Sequence, residues 1–357
     1  MKATLLLCVL ISVLSFSQQK NVKISNLQPA SENRYFPLVS YTDKPAVAQK
    51  INTLLQVDQL EYVPGVGGNP FALVSGGENA NYVLFYNWEK MDTPKNILSI
   101  AMEGETSGAY PESFYLWKNF DLRTGNLINA RDLFRPDAVK TIESLIQKRV
   151  RKEINDFIIR LKAEPEQTDE ILSQIGLYEG CYTDYTLAGI GYYFKTDKIK
   201  FITERCSNHA MRALDELAEH VIEFSYKDLD KYLSPYAKSL LNGSDVVEKT
   251  SLQNKLYKGK IDGKYPITVL IKEVYGNKNE SSVAAVYWYD KNKKLIEWHG
   301  KLKDNHISLT ENDYYSEETR QWMLKGFVEA DIKGNEISGT WQDYKTKKYL
   351  TLELEEL

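Results

Sequence analysis

Histidine and cysteine are scarce in this sequence of 357 residues, which contains four histidines and three cysteines. The pattern of two histidines flanking a glutamate, typical of zinc proteases, does not occur. His209 and His220 fall within one predicted helix, but they lie about three turns apart, which is too far to share an ion. We therefore predict no metal site and no cofactor.

A strong excess of one charge is also lacking, because 49 acidic residues stand against 45 basic ones. Nucleic-acid-binding domains are usually strongly basic, so we expect no nucleic-acid partner. After the first 17 residues, no apolar run reaches the roughly 20 residues of a membrane-spanning helix. The turn Gly-x-Ser-x-Gly of serine hydrolases and the phosphate-binding Gly-Lys-Ser/Thr are missing as well. We find no catalytic constellation.

Residues 1–17 have the pattern of a secretory signal peptide. Lys2 provides a positive start, an apolar run covers residues 5–14, and Ser15 and Ser17 are the small residues of a cleavage site. Cys8 lies inside the apolar run instead of after it, which argues against lipidation. We expect an exported protein of a bacterial cell envelope, either periplasmic or extracellular at the cell surface.

Cys181 and Cys206 are the two cysteines that remain in the mature chain. In an oxidising compartment such a pair indicates a disulfide. The hairpin turn predicted near Asp197 does not place the two residues opposite each other, so the chain before Leu187 must fold back. Two free thiols are the alternative. His209 follows Cys206 by three residues, as in a thiol–imidazole pair, but Cys181 is the more natural partner of that sulfur.

The length of the chain favours two domains. Residues 18–241 mix helical and strand patterns, which predicts an α+β domain with helices packed on a mixed or antiparallel sheet. A helix is expected from Pro45, and a long amphipathic helix from about Asp137 to Pro165. One face of the long helix is apolar: Val139, Ile142, Ile146, Val150, Ile154, Phe157 and Leu161. A further helix is predicted from Met211, Leu214, Leu217 and Val221.

The polar residues 242–254 are predicted to form a linker, and residues 255–357 a small all-β domain. Strand-like runs recur there with turn signals between them, and no helix of normal length fits. We expect a meander that forms a sandwich or a barrel. The runs are Tyr265–Tyr275, Val283–Tyr289, Leu295–His299, His306–Thr310, Trp322–Glu329, Ile337–Trp341 and Tyr349–Leu354.

Residues 30–241 contain an ordered series of short motifs: Ser107-Gly108-Ala109-Tyr110-Pro111, residues 119–126 (Asn-Phe-Asp-Leu-Arg-Thr-Gly-Asn), Asp132-Leu133-Phe134, Tyr192-Tyr193-Phe194, residues 224–229 and residues 233–237. This order resembles a domain-of-unknown-function family. The family occurs in the ectodomains of extracytoplasmic anti-sigma factors that sense lysozyme, and it precedes the catalytic domain of some peptidoglycan deacetylases. The resemblance implies an envelope polysaccharide or a lysozyme-like protein as the partner.

One position departs from that family pattern. Tyr110 stands where the family commonly has a histidine, so a role that depends on a titrating imidazole or a metal ligand is in doubt. A structural role of the loop remains, because Gly108 still supplies backbone freedom. We take Ser107, Gly108, Ala109, Tyr110 and Pro111 as candidate ligand-binding residues.

Tyr287, Trp288 and Tyr289 form a second candidate ligand surface. Aromatic faces stack on sugar rings and anchor protein interfaces. Adjacent residues of a strand alternate between its two faces, so at least one of the three side chains has to point away from the core of its own domain.

Our leading hypothesis is a non-enzymatic binding or sensing module of the cell envelope. The first alternative is a carbohydrate-active hydrolase, because strand alternation places Glu103 and Glu105 on one face, as a pair of carboxylates. The second alternative is a structural envelope protein whose β-domain docks on a larger assembly.

Overall fold

The computed structural model describes residues 21–29, 33–72, 82–107, 111–243, 245–276 and 280–357. The predicted signal peptide, with Cys8, lies outside these ranges. The described chain forms an α+β part, followed by a closed barrel of eight antiparallel strands. None of the helices in these ranges is both long enough and apolar enough to cross a membrane.

The first half of the α+β part is a helix packed against two small antiparallel sheets. Helix α1 (Pro45–Leu60) begins at a proline, whose fixed φ suits the first helical position. As expected from the sequence, a helix starts here. β1 pairs with β2, while β4 lies between β3 and β5 in the other sheet. The strands are β1 (Val22–Asn26), β2 (Pro37–Tyr41), β3 (Tyr82–Lys90), β4 (Ile97–Ser107) and β5 (Glu112–Asp121).

The second half is built around a long amphipathic helix, α2 (Val139–Lys162). All seven apolar residues of its predicted face are buried in one core. Helix α3 (Asp169–Glu179) follows, has Thr168 as its N-cap and lies outside the predicted helices. A three-stranded antiparallel sheet and two short helices complete this half: β6 (Gly191–Phe194), β7 (Lys198–Thr203), β8 (His220–Ser225), α4 (Tyr226–Leu229) and α5 (Pro235–Asn242).

The helix predicted over residues 211–221 is wrong. The chain forms a short 3-10 helix at His209–Leu214, and the strand β8 then begins at His220. The Asp215 carboxylate explains the break, because it accepts hydrogen bonds from the backbone N–H groups of Ser207 and Ala218. Ala218 adopts a left-handed φ of 52°, which redirects the chain into the strand. His209 and His220 therefore do not share a helix.

Cys181 and Cys206 form a disulfide, as predicted, with their Cα atoms 4.9 Å apart. The irregular segment before β6 folds back as the prediction required. A hydrogen bond from the backbone N–H of Leu187 to Glu143 of α2 helps to hold this segment. The bridge thereby ties the end of α3 to the loop after β7.

The C-terminal part is a barrel rather than a sandwich. Each strand pairs antiparallel with the next, and β16 pairs with β9 to close the ring. Seven of the strands coincide with predicted runs, and the first, Lys255–Ile261, lies outside them. The strands are β9 (Lys255–Ile261), β10 (Tyr265–Gly276), β11 (Ser281–Tyr289), β12 (Ile296–Lys303), β13 (His306–Ser316), β14 (Gln321–Lys333), β15 (Glu336–Asp343) and β16 (Tyr349–Glu356).

Closing the ring requires close approach between the first and last strands. A Cβ atom at Gly259 of β9 would lie 1.8 Å from the carbonyl oxygen of Glu353 on β16. Only glycine fits at such a contact, and glycines of this kind mark sharp bends in barrel strands. Alternating apolar side chains such as Ile267, Val269 and Ile271 fill the interior.

A shared hydrophobic core joins the barrel to the α+β part. Leu270, Val286 and Trp288 point outward from the barrel and are buried in the same cluster as Leu54 and Leu55 of α1. An ion pair between Lys255 and Glu356, with an Nζ–Oε2 distance of 2.6 Å, lies at the same side of the barrel. Helix α1 therefore packs against the outer surface of the barrel.

The segment between the two parts also makes ordered contacts. Lys249 is buried, and its Nζ donates to the backbone carbonyls of Leu127 and Gln253. Burial lowers the pKa of Lys249 from its usual value. The linker boundaries at residues 242–254 stay a prediction, with α5 ending at Asn242 and β9 beginning at Lys255.

Candidate functional site

The loop predicted from the family resemblance connects β4 to β5. Ser107 is the last residue of β4, and Pro111 is exposed immediately before β5. Gly108, Ala109 and Tyr110 lie outside the described residues. Next to the loop, the Glu112 carboxylate lies 3.6 Å from the Arg212 guanidinium, which links this end of the hairpin to the short 3-10 helix before β8. The binding role of the loop stays a prediction.

Side chains alternate between the two faces of β4. Met102 and Gly104 are buried on one face, so Glu103 and Glu105 lie on the other face, which is partly exposed. The Glu103 carboxylate accepts a hydrogen bond of 2.9 Å from Asn87 on β3. Tyr115, across from Glu103, is 56% exposed. The pair thus faces an open sheet surface, and neither carboxylate lines the cleft described below.

The aromatic run Tyr287-Trp288-Tyr289 divides between the two faces of β11. Tyr287 points into the barrel, where its ring stacks on the Trp298 indole with a centroid distance of 4.2 Å. Tyr289 follows on the same face and contacts the Tyr287 ring edge to face. Trp288 points outward as alternation requires, but the α+β part covers it and leaves it 4% exposed. Of the three, Tyr287 and Tyr289 reach the barrel opening.

A buried carboxylate beside Tyr287 was not among the residues singled out from the sequence. Glu311 of β13 is 4% exposed, and its Oε2 atom accepts three hydrogen bonds. The Tyr287 hydroxyl donates over 3.0 Å, and the indole Nε1 atoms of Trp298 and Trp341 donate over 2.9 Å each. A buried carboxylate without hydrogen-bond donors would be strongly unfavourable, and these three bonds offset the cost of its burial.

Local strand structure explains how three bulky side chains converge on the Glu311 carboxylate. Ile307 and Leu309 precede Glu311 at inward positions of β13, so strict alternation carries the carboxylate inward. Gly326 lies opposite Glu311 on β14, and a Cβ atom there would lie 2.8 Å from the Trp341 indole. Glycine at this position therefore makes room for the indole to reach Glu311.

The register of β13 and β14 shifts twice immediately after Glu311. Bulges of this kind bend a strand and redirect its side chains, and they concentrate at barrel rims and binding sites. Here the bulges follow the carboxylate directly and carry the β13–β14 hairpin into the wall of a cleft. The sequence does contain a signal for Glu311. It follows Ile307 and Leu309 at the next inward position of the strand, and the alternating pattern ends directly after it.

The cleft opens at this end of the barrel and has a volume of about 600 Å³. Trp322 forms part of its rim, is 61% exposed, and contacts Tyr315 edge to face. Charged and polar groups are interspersed with the aromatic ones. The lining comprises Tyr287, Tyr289, Lys294, Leu295, Ile296, Glu297, His299, Glu311, Asn312, Asp313, Trp322, Lys325 and Trp341.

The phenols of the cleft are donors at neutral pH. Burial and the adjacent Glu311 carboxylate raise the pKa of Tyr287 far above its usual value, and burial also raises the pKa of Tyr289. Among the described residues, the side chains that donate to Glu311 are neutral: the Tyr287 hydroxyl and the indoles of Trp298 and Trp341. The cleft therefore combines a fixed negative charge with aromatic walls and hydroxyl groups, an arrangement suited to binding a polar ligand that has apolar faces.

Comparisons with known proteins return solved structures from a domain-of-unknown-function family. No family model matches the sequence, and no curated protein matches it. A solved structure of a DUF3298 family member from Bacteroides fragilis is 15% identical, with a TM-score of 0.36, and the match covers 60% of this chain and 90% of that one. A DUF3298 family protein from Pseudomonas aeruginosa is 10% identical, with a TM-score of 0.39 and coverages of 60% and 93%. The neighbours thus belong to a domain-of-unknown-function family, while a relation to anti-sigma factors or deacetylases stays a prediction.

Proposed function

We propose that this chain is a non-enzymatic binding protein of the bacterial cell envelope and that the cleft at the barrel opening binds an envelope glycan. The observation that supports this most strongly is the buried Glu311 carboxylate, held by Tyr287, Trp298 and Trp341 at the base of an aromatic-rimmed cleft. Export to an oxidising compartment is consistent with the Cys181–Cys206 disulfide.

The architecture of the barrel favours a ligand-binding role, rather than a purely structural one, for the end that contains Glu311. An eight-stranded barrel is wide enough to be filled by side chains or to hold one small ligand. Apolar residues fill most of this interior, and Ile307 and Leu309 occupy the two inward positions before Glu311. Another aliphatic residue at 311 would continue this packing without the desolvation of a charge. The carboxylate with its three donors is therefore best explained by recognition.

The size and chemistry of the cleft favour sugars over other ligands. A volume of about 600 Å³ accommodates a ligand of a few sugar rings. Sugar rings present apolar faces to side chains such as Trp322 and hydroxyl groups to carboxylates and phenols. Among envelope glycans, peptidoglycan is the candidate implied by the sequence motifs of the α+β part.

Calorimetric titration of residues 18–357 with soluble peptidoglycan fragments tests this proposal. We expect saturable binding that Trp322→Ala weakens about tenfold or more, because exposed aromatic anchors dominate such interfaces. Tyr275→Ala is the matched control. Tyr275 is 78% exposed and lies at the end of β10 that is away from the cleft. Glu311→Gln keeps the shape of the side chain and removes its charge, and we expect it to weaken binding as well. Absence of binding, or equal loss in the Tyr275 variant, contradicts the proposal.

Two further measurements separate the alternatives. Mass spectrometry of the glycan after incubation detects cleavage; cleavage that disappears in Glu103→Gln and Glu105→Gln would support the hydrolase instead. Capture on immobilised lysozyme tests a protein partner of the α+β part. Binding to lysozyme that survives Trp322→Ala, but is lost when residues 107–111 are replaced, would assign that interaction to the β4–β5 loop and leave the barrel cleft for another ligand.

A further inference from the structure

A group of metal-ligating side chains surrounds the disulfide in the α+β part. One ligand atom each from Cys181, Cys206 and His220 lie within 4.8 Å of one another. His220, at the start of β8, is 1% exposed, and its Nε2 is 3.7 Å from the Cys206 sulfur. Both cysteines are half-buried and are thus accessible to small molecules. The binding proposal assigns no role to this group.

We propose that reduction of the Cys181–Cys206 disulfide converts these three residues into a zinc-binding site. Thiolates and imidazoles are the side chains that zinc prefers, at about 2.3 Å from sulfur and about 2.0 Å from nitrogen. In a tetrahedral site of those bond lengths, ligand atoms lie roughly 3.5–3.8 Å apart. The distance between His220 and Cys206 already has this value, and cleavage of the S–S bond lets the two sulfurs separate to reach it.

Glu153 completes the arrangement from helix α2. Its Oε2 lies 2.9 Å from Nδ1 of His220, on the side of the ring that faces away from the sulfurs. A carboxylate at this nitrogen fixes the proton on Nδ1 and leaves the Nε2 lone pair directed at the cysteines. Histidines that bind zinc usually have such a partner, which orients the ring and raises its basicity.

The reaction balances with a dithiol as the reductant. The dithiol transfers two electrons and two protons to the disulfide and becomes a disulfide itself, while Cys181 and Cys206 become thiols. Zinc then binds both sulfurs and His220 Nε2, and two protons leave the thiols. A water molecule takes the fourth position. The metal thereby retains the connection between the end of α3 and the loop after β7 that the covalent bond provides in the oxidised protein.

Titration of the reduced protein with Co²⁺ tests the inference, because cobalt bound to thiolates gives charge-transfer absorption that oxygen ligands do not. The protein is reduced with a phosphine and desalted without oxygen. We expect one equivalent of Co²⁺, displaced by Zn²⁺, in reduced protein and none in oxidised protein. Glu153→Gln should lower the zinc affinity by about 10–100-fold in a chelator competition.

Variants locate the ligands. His220→Ala and the double variant Cys181→Ser/Cys206→Ser should lose the charge-transfer bands. His209→Ala is the matched control, because His209 is near Cys206 in sequence but is not part of the group. Reduced protein that binds no Co²⁺, or binds it equally in His220→Ala, overturns the proposal. If His220→Ala does not fold, Glu153→Gln provides the test instead. A zinc affinity of Glu153→Gln equal to that of the wild type would also overturn the proposal.

Discussion

The buried ion pair between Lys255 and Glu356 offers the sharpest test of how the barrel is held against the α+β part. Their side chains are 4% and 5% exposed, and the Nζ–Oε2 distance is 2.6 Å. Glu356 also accepts a hydrogen bond of 3.4 Å from Asn126 in the α+β part. Lys255→Met fills a similar volume but leaves the Glu356 carboxylate buried without its main partner.

Removal of one member of a buried pair destabilises proteins by about 3–5 kcal/mol, because the remaining charge stays desolvated. We expect a loss near 3 kcal/mol for Lys255→Met, since Lys50 lies close enough to Glu356 to compensate part of the charge. The double variant Lys255→Met/Glu356→Leu removes both charges, and its free energy of unfolding should return to within about 1 kcal/mol of the wild-type value.

Urea denaturation followed by circular dichroism measures these free energies, provided that the denaturant slope stays constant among the variants. Lys301→Met is the control. Its partner Glu280 lies 2.7 Å away, but both side chains are more than half exposed. Such a pair contributes less than about 1 kcal/mol. Equal effects of Lys255→Met and Lys301→Met, or a double variant less stable than Lys255→Met, would refute the reasoning.

Three further predictions concern stability. Burial lowers the pKa of Lys50 to about 8. An unfolded chain binds this proton up to about pH 10.5, so stability should rise by about 1–3 kcal/mol between pH 8 and 10, a rise absent from Lys50→Met in urea melts at each pH. Cys181→Ser/Cys206→Ser opens a loop of 25 residues and should lower the free energy of unfolding by roughly 3–4 kcal/mol in metal-free buffer; an unchanged urea midpoint would contradict this. Trp288→Ala should destabilise by about 3–5 kcal/mol, whereas Trp322→Ala, at an exposed position, should change stability by less than about 0.5 kcal/mol in the same assay.

Periodicity in the sequence predicted the elements that bury one continuous face. The stripe on α2 and seven barrel strands are of this kind, because burial of alternating or helically spaced side chains determines them locally. The segment 211–221 has helical spacing too, but the side chain of Asp215 competes for backbone N–H groups and ends the helix after a short 3-10 segment. Local polar contacts of this sort are not visible in a pattern of apolar residues.

The candidate site was predicted only in part. Tyr287 and Tyr289 were singled out as aromatic residues, and they do reach the cleft. Glu311 was missed because its significance depends on Trp298 and Trp341, which come from two other strands. For Trp288, the sequence predicts the direction of the side chain but not its burial. Its outward direction follows from alternation, but its burial depends on how the α+β part packs against the barrel, which is a long-range property of the fold.

Two buried glutamates in one barrel show how a structural charge differs from a recognition site. Glu356 lies between the two parts of the protein, and a lysine neutralises it directly. Glu311 faces the cleft, and among the described residues it forms no ion pair within 4.0 Å; an O–H and two N–H groups hold it instead. Neutral donors stabilise a carboxylate without cancelling its charge, so Glu311 retains an electrostatic field that a ligand in the cleft experiences. For this reason we expect Glu311→Gln to weaken ligand binding at little expense in stability, whereas the same change at Glu356 acts on stability alone.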